Sequence, residues 1–245
     1  MWEGVATVAA GAGTLTLMLI EPPTDALWTG GILFDDAIRR AVRLDNEQSH
    51  AKVASIGDIP YFAAPLLPLI VDPLLAWAVH GDGKAALNME LMGLEAFSYA
   101  GFMSFVSTRT SRRERPDSRQ CREDHPESGC PPTDTEAFWS GHTSIVAASA
   151  GLVCANHVYM PLWGHPIADA GACVLATSGA ILTGVTRLMA DRHYTTDVLV
   201  GFGMGFGFGY AVPALLHYSH RKVEVALGVR PGECTGGCLT LNGKF

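Results

Sequence analysis

The run Thr186-Arg187-Leu188-Met189-Ala190-Asp191-Arg192-His193-Tyr194-Thr195-Thr196-Asp197 joins two long apolar segments, and its reading decides what the chain builds. His193 and Asp197 stand four residues apart. If a helix begins near His193, that spacing sets imidazole and carboxylate on one face, within hydrogen-bonding reach. An Asp holding one imidazole nitrogen fixes the tautomer and leaves the other nitrogen to attack or to move a proton. Arg187, six residues before His193, carries a guanidinium able to clamp an anion at the same spot. Nucleophile, orienter and clamp within twelve residues point to phosphoryl chemistry where two helices meet.

Working outward, six apolar segments can be marked: Val5–Ile20, Ile59–Val79, Ala86–Val106, Thr143–Met160, Ile167–Leu188 and Val198–His217. Most approach the twenty or so residues that a helix needs to cross a bilayer. The 245 residues are 48% hydrophobic and 17% charged, and their mean hydropathy is +0.20. We therefore expect an all-α, six-transmembrane helical bundle, against the alternative of buried helices in a soluble all-α protein. Residues 1–58 supply a first span and a polar loop, 59–218 the core bundle, and 219–245 a tail. In the loop Glu21–Asp58, Pro22-Pro23 is an early stop, and Asp35–Leu44 can form a short amphipathic helix. A formal charge of -7 argues against a general nucleic-acid binder.

The last segment has glycine at 201, 203, 205, 207 and 209. No preceding strand is available to make these a phosphate loop. Overlapping Gly-x-x-x-Gly pairs in an apolar helix instead allow close packing on a neighbour.

The second polar loop, Ser107–Ala137, holds six arginines and would count as cytoplasmic by charge alone. The tail, with His220, Arg221, Lys222 and Arg230, has the same character, yet three spans separate the two. The conflict is resolved if the loop arginines serve a site. Cys121 and Cys130, a disulfide candidate in this polar loop, favour an oxidising compartment there. The loop is then outside and both termini inside. No cysteine tetrad has zinc spacing, and Cys234 and Cys238 in the Gly-rich tail are expected as free thiols.

Three clusters fall on one membrane face when spans alternate: Thr108–Pro116, Phe138–His142 and Thr186–Asp197. Arg115-Pro116, then Ser140-Gly141-His142, then Arg187, His193 and Asp197 at their spacing resemble the three-part signature of the type 2 phosphatidic acid phosphatases. That superfamily also includes bacterial acid phosphatases, glucose-6-phosphatases and vanadium haloperoxidases. The chain departs from the pattern at Thr186 (usually Ser), Trp139 (usually Pro) and Thr108 (usually Lys). Arg109 is the neighbour that could stand in for the lysine, and Arg113 falls where many members have a further arginine.

The resemblance implies that His193, held by Asp197, attacks phosphorus and forms a phosphohistidine. His142 protonates the leaving oxygen and then activates water. Arg115 and Arg187, with Arg109 as a third, clamp the non-bridging oxygens, and Ser140 and Gly141 donate further hydrogen bonds. Arginine clamps take the place of a metal, so no cofactor is expected. The partner is a lipid-linked phosphate in the membrane: phosphatidate-like lipids first, polyprenyl pyrophosphate second. The rivals are a vanadate-dependent haloperoxidase and a lipid-binding protein with a degenerate site. His50, His80, His157 and His165 are expected to be structural.

Overall fold

The computed structural model describes residues 2–125 and 129–218, and the backbone of Glu224–Leu227 and Leu239–Asn242, which pair as antiparallel strands. The readings on His220, Cys234 and Cys238 lie outside the described residues. Among those described, the chain up to residue 218 is built from helices: α1 (Trp2–Leu19), α2 (Asp35–Val42), α3 (Glu47–Ala63), α4 (Asp72–Ala78), α5 (Gly83–Ser111), α6 (Pro116–Asp124), α7 (Gly141–Tyr159), α8 (Pro166–Met189) and α9 (Thr195–Val212). Three stretches are long and apolar enough to cross a membrane: Glu47–Ala78, Pro166–Met189 and Thr195–His217.

Local chemistry sets most of the boundaries. Asn46 caps α3 by accepting from the Ser49 N–H, and Asp82 caps α5 by accepting from the Ala85 N–H, each at 2.8 Å. Pro116 and Pro166 open α6 and α8, where a missing N–H costs nothing. The segment Ile59–Val79 is not one continuous helix. Prolines at 60, 65, 68 and 73 remove successive donors, and the chain passes from α3 through a π-helical turn, Leu67–Val71, into α4. The polar loop expected over Glu21–Asp58 is also half helix. The Asn46 cap starts α3 at Glu47, so this helix runs across the boundary placed at residue 58. The amphipathic helix expected at Asp35–Leu44 is α2.

α7 is the axis of the bundle. Its residues Thr143 to His157 are nearly all buried, against α9 on one side and α8 on the other. α1 packs on α5, and α3 on α8. The α7–α9 contact is backbone on backbone. A Cβ at Gly201 would strike the Ser140 carbonyl, one at Gly205 the Ser144 carbonyl, and one at Gly209 the Ala148 carbonyl. Gly203 and Gly207 face open space. The glycine stripe is thus a packing face, with only every fourth residue in use. Disulfides join Cys121 to Cys130 and, within the bundle, Cys154 of α7 to Cys173 of α8.

Candidate active site

The close approach of Gly201 to Ser140 brings the start of α7 beside the start of α9. Ser140, fully buried, caps α7: its hydroxyl lies 2.9 Å from that of Thr143, and its N–H donates to the Asp197 carbonyl at 3.1 Å. The amides of Gly141 and His142 follow as the first turn of α7, where unpaired N–H groups favour an anion. Arg115 is extended, as a residue before proline must be, and its Nε lies 3.0 Å from Asp134. Arg187, on the last turn of α8, reaches back to α3. Its Nη2 donates to the Ala54 carbonyl and, at 2.7 Å, to Asp58 Oδ1.

His193 is buried in the loop between α8 and α9. Its Nδ1 lies 2.8 Å from the Ala137 carbonyl and 3.8 Å from Asp197 Oδ2, so the main chain, and not the carboxylate, is its direct partner. The expectation was that Asp197 holds the imidazole; the nearer partner is the Ala137 carbonyl. Asp197 is occupied elsewhere: Oδ2 accepts from the Tyr194 N–H at 2.8 Å, closing the first turn of α9, and Oδ1 accepts from Arg113. Ala137 is delivered by pairing, its N–H donating to the Arg113 carbonyl at 3.0 Å.

Burial is the first influence on His193; with the charges of Arg115 and Arg187 it holds the imidazole well below its ordinary pKa. The Ala137 carbonyl can only accept, so Nδ1 carries the proton of the neutral ring and Nε2 the lone pair. His142, at the mouth of α7, is pushed down to about 4 by burial first, and then by Arg187, His193 and Arg115. Asp58 pulls the other way. Its carboxylate oxygen lies 3.4 Å from His142 Nε2. The structure thus brings together His193, His142, Arg115, Arg187, Ser140 and Gly141.

Arg109 is not among them. Its guanidinium donates to Glu136 at 2.9 Å and to the Leu17 and Ile20 carbonyls at 3.0 and 2.8 Å. It closes the C-terminal end of α1, because orphan carbonyls there draw a cation. The lysine-like role expected for it is corrected: Arg109 anchors α1. Thr108, the position where lysine is usual, is buried and bonded to the Phe105 carbonyl.

Arg113 is wholly buried, stacked between the rings of Trp28 and Tyr194 at 4.0 and 4.1 Å. It donates to Asp197, Thr196 and Asp35. α2 sends two residues to the junction of α8 and α9: Asp35 to Thr196 at the start of α9, and Arg39 to Asp191 in the loop before it, at 2.7 and 2.6 Å. Asp191 adopts a left-handed φ of 57°, which Asp tolerates better than most residues. The residues missed by sequence reasoning are Asp58, the Ala137 carbonyl and the Asp35–Arg113 pair. Only Asp58 left a local trace, an acid beside Gly57 where an apolar run begins.

Two histidines and two arginines gather around a helix N-terminus at one end of a helical bundle. A model of the PAP2 superfamily matches residues 91–221, more than half of the chain, and the protein belongs to that superfamily. A solved structure described as the first transmembrane PAP2 type phosphatidylglycerolphosphate phosphatase, from Bacillus subtilis, is 18% identical, over 82% of this chain and 94% of that one, with a TM-score of 0.30. No curated protein matches the chain. Membership supports a phosphatase, a phosphoric ester hydrolase in general terms. The three long apolar helices support an integral membrane protein.

Proposed function

We propose that the protein hydrolyses lipid phosphate monoesters or pyrophosphates at the outer membrane face, through a phosphohistidine on His193. The observation that carries this reading is the commitment of His193 Nδ1 to the Ala137 carbonyl, which turns a neutral Nε2 toward a site edged by Arg115 and Arg187.

In the first step the Nε2 lone pair attacks phosphorus in line, the ester P–O bond breaks, and His142 gives its proton to the departing oxygen. In the second, His142 takes a proton from water, whose oxygen attacks the phosphohistidine and frees inorganic phosphate and His193. Arg115 and Arg187, with the first amides of α7, neutralise the non-bridging oxygens, the role a metal has in many phosphatases. Asp197 acts at one remove, by fixing the turn that carries His193.

α1, α5 and α7 are long enough to add three spans to the three apolar helices, giving six with both termini inside. Exposed Val5, Val8, Leu15 and Leu19 on α1 fit a lipid-facing surface. A lipid substrate suits this placement, its head group in the site and its chains in the bilayer. Purified protein in detergent should release phosphate from phosphatidic acid without added magnesium, and His193→Ala should not. Hydrolysis of no lipid phosphate by the wild type, across phosphatidate, phosphatidylglycerol phosphate and prenyl pyrophosphates, would sink the reading.

A further inference from the structure

Asp58 sits where an acid is least expected, inside a site that must bind a dianion. Its placement is built into α3. Gly57 has no side chain because a Cβ there would strike the Thr186 hydroxyl and the Arg187 guanidinium, so α3 lies directly on the end of α8. The face carrying Ala54, Asp58 and Tyr61 is then turned to the site. Ala54 gives its carbonyl to Arg187, Asp58 gives Oδ1 to Arg187 at 2.7 Å, and the Tyr61 ring lies 4.3 Å from the His142 ring. The same Asp58 oxygen stands 3.4 Å from His142 Nε2. One carboxylate oxygen thus faces both a phosphate clamp and an imidazole.

We propose that Asp58 is the positioning residue of the proton donor: it orients His142 with Nε2–H toward Oδ1 and favours the protonated ring. The inference rests on the function proposed above. It answers a difficulty in that mechanism. The groups facing His142 are Arg187 from α8, His193 from the loop before α9, Arg115 from the start of α6, and Asp58 and Tyr61 from α3. Burial, the two arginines and His193 all disfavour a proton on His142, and Asp58 alone among these groups favours it. With Nε2 held by Asp58, Nδ1 is the nitrogen that gives the proton to the leaving oxygen and recovers one from water. The dianionic substrate strengthens the same effect, and Asp58 supplies part of it before the substrate arrives.

The test compares wild type, Asp58→Asn and Asp58→Glu as full-length protein in detergent, with phosphatidic acid as substrate. A general acid is lost as pH rises through its pKa, so lowering that pKa moves the basic limb of the kcat profile to lower pH. Asp58→Asn should shift this limb down by about one pH unit and lower kcat at neutral pH about tenfold. KM should not rise, because removing a negative charge beside Arg187 does not repel an anion. Asp58→Glu should restore most of the limb. An unmoved limb, or a rise in KM with kcat intact, overturns the inference and marks Asp58 as a structural partner of Arg187. If the wild type is inactive on all lipid phosphates, the proposed function fails on its own terms. NMR titration of the His142 imidazole in wild type and Asp58→Asn then still decides whether Asp58 sets its protonation, an unchanged midpoint again overturning the inference.

Discussion

Asp35 accepts from both the backbone N–H and the hydroxyl of Thr196, at 2.8 and 2.7 Å, although the two residues are 161 positions apart. A carboxylate from α2 therefore caps α9, the helix that starts just behind His193. The capping geometry resembles that usually supplied by a local side chain. Here it ties the N-terminal quarter of the chain to the site.

Removing this carboxylate should be costly. Asp35→Ala leaves Arg113 buried with one counter-charge fewer and two Thr196 donors unpaired. We expect a loss of about 3–5 kcal/mol, read as a lowered melting temperature in detergent. A change below about 1 kcal/mol would show that α2 is not a structural clamp.

The same carboxyl has a pH signature. Burial by itself would raise its pKa, but hydrogen bonds from Ile32, Arg113 and Thr196 more than offset this and hold it below the usual carboxylate range. A depressed folded-state pKa contributes stability above the unfolded value, near 3.8, and that stability is lost as pH falls through the folded pKa. Melting temperatures followed downward from pH 6 should therefore drop below about pH 4 more steeply for wild type than for Asp35→Asn.

His193, well below its ordinary pKa of 6.5, is already neutral across the physiological range. Its acid limb in kcat/KM should accordingly lie well under that ordinary value. His193→Ala should lower kcat by at least about a thousandfold and abolish an acid-labile phosphoenzyme trapped by rapid quench. A trapped phosphoenzyme in the alanine protein would move the nucleophile elsewhere.

Arg109 and Arg115 should separate cleanly. Arg109→Ala loosens the end of α1, lowering the melting temperature while leaving KM for phosphatidic acid within about twofold. Arg115→Ala should raise KM and lower kcat together, at a total cost in kcat/KM of about 2–4 kcal/mol. Equal effects from both would restore Arg109 to the phosphate clamp.

The glycine face of α9 gives a test of packing. Gly205→Ala drives a methyl into the Ser144 carbonyl and should destabilise by about 1–3 kcal/mol. Gly203→Ala, two residues away, meets open space and should be neutral or slightly stabilising. Thermal denaturation of the two proteins in one detergent makes the comparison.

Much of this was legible in sequence because it is carried by local pattern. Apolar length marked the helices, Gly-x-x-x-Gly the packing face, and the spacing from Arg187 to His193 the loop that holds the imidazole. The internal break near Leu67 was missed, because an apolar run read by its length hides the prolines within it. What else escaped was tertiary. No spacing predicts that Asp58 reaches Arg187 across two helices, or that Asp197 prefers Arg113 to the imidazole four residues before it. Arg109 misled for the same reason: it lies next to the usual lysine position, but its direction is set by the carbonyls ending α1.

The backbone-to-backbone seam between α7 and α9 bears on which wall of the site is rigid. His142 begins one of these helices and His193 precedes the other, and Gly201, Gly205 and Gly209 leave no slack between them. The two histidines therefore keep a fixed separation like the jaws of a vice already set. The opposite wall is joined differently, α3 leaning on α8 through the single Asp58–Arg187 ion pair, and under the proposed function it is this wall that would yield to a substrate.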